Sequence, residues 1–113
     1  MAKVTGIGGI FFKCKDPEFV RKWYSEKLGL NTGKYGTNFE WRKSKKPDQK
    51  GFTVWGPFSD TTQYFKPSEK EYMINLRVDN LREMLHQLKD QDVEIMGEID
   101  EYEYGLFAHI IDP

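Results

Sequence analysis

Few side chains in this sequence carry acid–base, nucleophilic or metal-binding chemistry: two histidines, one cysteine and scattered carboxylates. His109 is the best single candidate. It shares one face of an apolar run with Phe107 and Ile111, and an imidazole there could act as acid or base near neutral pH. The alternative is a pocket-wall or hydrogen-bonded core histidine with no chemical duty. His86 lies beside Gln87, opposite the apolar face of a predicted helix, and reads as surface. Cys14 reads as a core residue rather than a nucleophile. His109 could join Glu40 and another carboxylate around a metal, but no His-x-x-x-His or Cys-x-x-Cys spacing supports such a site. No metal and no cofactor is therefore expected. The segment Gly6-x-Gly8-Gly9 enters a strand, whereas a phosphate cradle must follow a strand and open a helix. Phe11, Trp41, Trp55, Tyr64 and Phe107 could line an apolar pocket for a flat organic ligand. The alternative is ordinary core.

These residues need elements to hold them. Ile7 to Cys14 is a dense apolar run closed by Asp16-Pro17 and predicts a buried strand. Asp16 then caps a helix with Pro17 at its first position. Phe19, Val20, Trp23, Tyr24 and Leu28 recur on one face, and Gly29 stops the helix. Phe39–Arg42 and Gly51–Trp55 read as strands around a polar hairpin loop at 43–50, the second ended by Gly56-Pro57. Gln63–Phe65 reads as a weak third strand. Tyr72, Ile74, Leu76 and Val78 then alternate as a strand, and Asp79-Asn80 caps a second helix. Leu81, Met84, Leu85 and Leu88 make its apolar face. Strands at Val93–Met96 and Tyr104–Ile111 follow.

The two halves align without gaps. Ile10 meets Ile74, Phe12 meets Leu76, Cys14 meets Val78, and the caps Asp16 and Asn80 coincide. A repeat of this length is a whole supersecondary unit. The period-2 rule turns Ile10, Phe12 and Cys14 towards the helix and Gly9, Phe11 and Lys13 towards a concave side. In the second half Met73, Asn75 and Arg77 take the concave side. Lys13, Asn75 and Arg77 are then polar groups aimed at a cleft, unless Lys13 and Arg77 reach water at strand ends.

At 113 residues the chain is long enough for one domain and too short for two. We expect a single domain over 1–113, with a first module at about 3–66 and a second at about 70–113. The net charge is −1, which favours neither nucleic acid nor an anionic membrane as partner. The basic stretch Lys43, Lys45, Lys46, Lys50 and the acidic stretch Glu98, Asp100, Glu101, Glu103 read as solvated loops or strand ends. No apolar run approaches the ~18 residues of a membrane helix. The opening residues do not read as a signal segment, so a cytoplasmic protein is the default expectation.

The segment Gly6-Ile7-Gly8-Gly9-Ile10-Phe11-Phe12-Lys13-Cys14-Lys15-Asp16-Pro17, followed by Trp23-Tyr24 and Leu28-Gly29-Leu30, resembles the opening of the glyoxalase/bleomycin-resistance/dioxygenase family. This is the vicinal oxygen chelate superfamily. Ile74-Asn75-Leu76-Arg77-Val78-Asp79-Asn80 looks like its second opening strand, and Gly105 to Pro113 like its closing signature. The likeness spans essentially the whole chain. It implies an α+β fold: paired βαβββ modules in a curved mixed sheet around a concave site, helices outside, often in a homodimer. It also implies that the His109 position faces the cup. Metal-dependent members place a histidine at the start of each module's first strand, and those places fall on Gly9 and Met73. Glycine has no side chain, and a thioether is a poor ligand for hard divalent ions. The family also continues past Asp-Pro into a further strand carrying a Glu ligand. The sequence here ends at Pro113, so the resemblance implies either a shorter piece or a module completed differently, for example by a partner chain.

The reading that follows is a metal-independent domain binding a small apolar or aromatic molecule in its cup. Its expected lining is Phe11, Lys13, Trp41, Trp55, Tyr64, Met73, Asn75, Arg77, Phe107 and His109. Two others compete: a metal-dependent lyase, isomerase or dioxygenase of the same superfamily, and a non-enzymatic structural or interaction module.

Overall fold

A side-chain oxygen opens each helix. Asp16 accepts a hydrogen bond from the Phe19 N–H at 3.1 Å and starts α1 (Pro17–Leu28). Asn80 accepts from the Glu83 N–H at 3.1 Å and starts α2 (Leu81–Asp90). Each cap satisfies one of the N–H groups that a helix start leaves without an internal partner. Gly29 ends α1 in the left-handed region (φ 71), and its N–H reaches the Ser25 carbonyl at 3.1 Å.

The computed structural model describes residues 1–113 as an α+β protein. The strands are β1 (Val4–Cys14), β2 (Thr37–Lys43), β3 (Lys46–Ser59), β4 (Tyr72–Val78), β5 (Ile95–Tyr102) and β6 (Gly105–Ile110). The order strand, helix, strand, strand therefore occurs twice, as the repeat predicts. Four strands form a mixed sheet in the order β2-β3-β1-β4, with β1 and β3 parallel and β2 and β3 antiparallel. β5 and β6 form a separate antiparallel pair.

Several local expectations change: the strand expected at Val93–Met96 is β5, Ile95–Tyr102, and it takes in Glu98, Asp100 and Glu101 of the acidic stretch. The stretch 43–50 is mostly strand: β3 begins at Lys46, and only Ser44 and Lys45 make the turn. Pro47 is tolerated because β1 pairs with β3 only from Val54 onward, so this end of β3 is open on one side. Gly56-Pro57 does not end the strand either. It lies past the last β2 partner, Trp55, and β1 carries the ladder on through Pro57 to Ser59. Gln63–Phe65 is a turn, not a third strand. Phe65 is nonetheless only 4% exposed.

The chain divides into two compact units, Ile7–Leu76 and Met1–Gly6 with Arg77–Pro113. In the first, α1 lies against β3, with Val20 and Tyr24 half-buried while Phe19, Trp23 and Leu28 stay exposed. The apolar stripe of α1 is thus only partly used within its unit. In the second, α2 meets β6, and its side chains secure the chain start. Gln87 accepts from the Ala2 N–H at 2.7 Å and donates to the Ala2 carbonyl at 3.0 Å, while Asp79 accepts from the Lys3 N–H at 2.9 Å. That bond holds the Asp79 carboxyl below the usual carboxylate range.

Candidate functional site

Within residues 7–76, strand register sorts the expected lining onto two faces. Partners in a parallel ladder point the same way. Ile10 is paired with Trp55 and Phe12 with Pro57, whereas Gly9 is paired with Val54, Phe11 with Gly56 and Lys13 with Phe58. The first set faces α1. The Trp55 ring lies 4.6 Å from that of Tyr24 on the helix and 5.5 Å from that of Phe12. Trp41 falls on the same side: it stands opposite Gly51, covers it, and donates from Nε1 to Thr53 Oγ1 at 3.0 Å. Trp55 is therefore part of the packing beneath the helix, and neither tryptophan shares a face with Phe11. The physical reason is register. The parity of β3 is set by its partner Ile10, and nothing in the segment around Trp55 states it.

The opposite face carries an aromatic tier. The rings of Phe11 and Phe58 meet edge to face at 5.6 Å. Phe58 and Tyr64 stack in parallel at 5.5 Å with 4° between their planes. Phe65 closes the group at 5.4 Å from Phe58, and Lys13 Nζ lies 5.4 Å from the centre of the Phe65 ring. A cation over a ring face at that distance is attracted by its quadrupole. Tyr64 remains 46% exposed at the end of the stack. Phe11 folds back along its own strand. A Cβ on Gly9 would lie 2.9 Å from its Cζ, and one on Gly56 would lie 3.1 Å from its Cδ1. Both glycines are thus the floor on which the Phe11 ring rests. Next to this floor is a hollow of about 500 Å³, bounded by the loop from Asn31 to Gly36 and by Asn38 and Val54. Val54 shares the face of Gly9, and Asn38 is its partner across β2 and β3.

Sequence reasoning placed Phe11, Lys13 and Tyr64 together, and the structure does the same. The structure adds Phe58, Phe65 and the hollow, which the sequence reading does not include. The signal for Phe58 was present: Phe52, Val54, Gly56 and Phe58 alternate once the strand is allowed through Gly56-Pro57.

Asn75 and Arg77 explain two more glycines. The Asn75 side chain lies over Gly8, where a Cβ would sit 2.7 Å from its Oδ1. In the other unit, the Arg77 guanidinium lies over Gly6, and its Nε donates to Thr5 Oγ1 at 3.2 Å. Glu40 is engaged by two cations, Arg42 at 3.9 Å and Lys50 at 3.8 Å. Cys14 is half-buried with its Sγ 3.6 Å from the Phe58 carbonyl, and burial pushes its thiol pKa up. Phe107 belongs to an aromatic group at the tip of the second unit's hairpin, where Tyr102 and Tyr104 stack at 5.2 Å and Phe107 lies 5.7 Å from Tyr104. His109 is half-buried on β6 opposite Met96.

No family model and no curated protein matches this chain. Solved structures do. Two variants of Streptomyces coelicolor methylmalonyl-CoA epimerase, each in complex with 2-nitronate-propionyl-CoA, align with a TM-score of 0.63 at 13% identity, over 95% of this chain and 89% of theirs. A structure described as NAD-dependent benzaldehyde dehydrogenase from Legionella pneumophila aligns with a TM-score of 0.55 at 15% identity, over 93% of this chain and 89% of that one. At these identities the likeness is one of fold. It agrees with the α+β fold expected from the sequence.

Proposed function

We propose that this protein is a metal-independent small-molecule-binding domain of the glyoxalase/bleomycin-resistance type, holding an apolar or aromatic ligand against the Phe11 face of residues 7–76. The observation that carries this reading is the parallel Phe58–Tyr64 stack, whose outer ring is 46% exposed. A planar ligand extends such a stack without rearranging it. Lys13 beside the tier favours a ligand with an electron-rich or anionic substituent.

Metal independence is supported by the two places where the family's metal-dependent members carry histidine. At Gly9 the space a side chain would enter is filled by the Phe11 ring. Met73 supplies only a soft thioether. These residues do not fit a hard divalent ion. The sequence reading also assigns Arg77, Phe107 and His109 to a lining, with His109 as its candidate catalytic residue, and these three belong to the other unit.

The test is a fluorescence titration with planar aromatic carboxylates. Tyr64→Ala should weaken binding by about tenfold, in line with the loss of one stacking partner. A divalent ion retained stoichiometrically through dialysis, with binding lost on its removal, would overturn the reading in favour of the metal-dependent one. A homodimer is part of the same proposal. It is supported by the resemblance and by the open edges of β4 and of the β5–β6 pair.

A further inference from the structure

We infer that a second site, a groove between α2 and the middle of β5, binds a small amphipathic anion: an anionic head group on a short apolar tail. Arg82, His86 and Lys89 follow one another at spacings of four and three, so they share one face of α2. All three line a cavity of about 490 Å³, within the size range of ligand sites. None of the three makes an ion pair. Arg82 stands in the first turn, where the helix dipole opposes a cation. Lys89, in the last turn, suits the helix dipole, but Arg82 does not, and an anion lying between the two would offset its cost.

The opposite wall has its own cause. Ile95 and Met96 are paired with Ile110 and His109, but the next partners are Asp100 and Phe107. Gly97, Glu98 and Ile99 thus face Ala108 alone, a bulge made possible by Gly97 in the left-handed region (φ 70). The bulge swings this stretch beside the helix. Leu85, Ile95 and Ile99 are half-buried and give the groove an apolar floor, while Gly97 leaves open space above it. Glu98 is the one acidic group in the lining, and it opposes an anion there. Head-group attraction and tail burial are then both available along a single groove.

Titration of the whole protein with octanoate, octyl phosphate, octanol and inorganic phosphate, followed by amide NMR, tests this. Octanoate or octyl phosphate should shift residues 82–89 and 95–99, and whichever binds more tightly identifies the head group. Octanol and inorganic phosphate should bind at least about tenfold more weakly, each lacking one of the two contributions. Arg82→Gln with Lys89→Gln should weaken octanoate by about tenfold or more, and Glu98→Gln should tighten it. These side chains are exposed, so the fold should survive, and binding at the Phe11 face should be unaffected. Octanol binding as well as octanoate, or an indifferent double variant, would sink the proposal.

Discussion

At the scale of single residues, Cys14 illustrates how position rather than type sets reactivity. Its thiol is half-buried against the Phe58 carbonyl, and desolvation raises its pKa. The thiolate is the nucleophile, so at neutral pH this cysteine should react with a disulfide reagent more slowly than free cysteine. The rate should rise only above the ordinary thiol range, and full reactivity at neutral pH would contradict the placement. Asp79 moves the other way, through the Lys3 N–H that its carboxylate accepts. The glycines of β1 belong to this scale as well. Gly6, Gly8 and Gly9 give way to Arg77, Asn75 and Phe11. A motif that resembles a phosphate loop in one dimension is here the ground over which three longer side chains lie.

At the scale of elements, the two helices begin by the same device at equivalent points of the repeat. Asp16→Ala and Asn80→Ala should each destabilise the protein by about 1 kcal/mol. That corresponds to a fall in melting temperature of about 4 °C for a domain of this size. No change from either would mean that water replaces the cap. Strand β3 shows the opposite kind of control. Pro47, Gly56 and Pro57 are local stop signals, yet the strand runs through all of them because β2 supports its beginning and β1 its end. Local punctuation is a weak prior where neighbouring strands supply the hydrogen bonds.

At the scale of the whole molecule, the open strands carry the prediction. β4 is the last strand of its sheet, and β5 and β6 pair only with each other. A two-stranded pair is marginal by itself, and unpaired edges invite another chain. Light scattering at about 50 µM, within the range of weak association, should give the mass of a dimer. A monomer mass there would remove the dimer from the proposed function.

Much of this protein was determined by its sequence alone. The helix starts at Asp16 and Asn80, the stop at Gly29, the duplicated order of elements and the shared face of Phe11 and Lys13 all follow from bonds or periodicities within a few residues. The tertiary structure decided the rest. Trp55 lies under α1 because its strand is in register with Ile10, and Phe58 and Phe65 join the aromatic tier because β3 continues where its own residues signal an end. The groove beside α2 exists because β5 bulges against a partner one hairpin away. A strand's direction of facing and its length are properties of its neighbours, and a chain read residue by residue does not contain them.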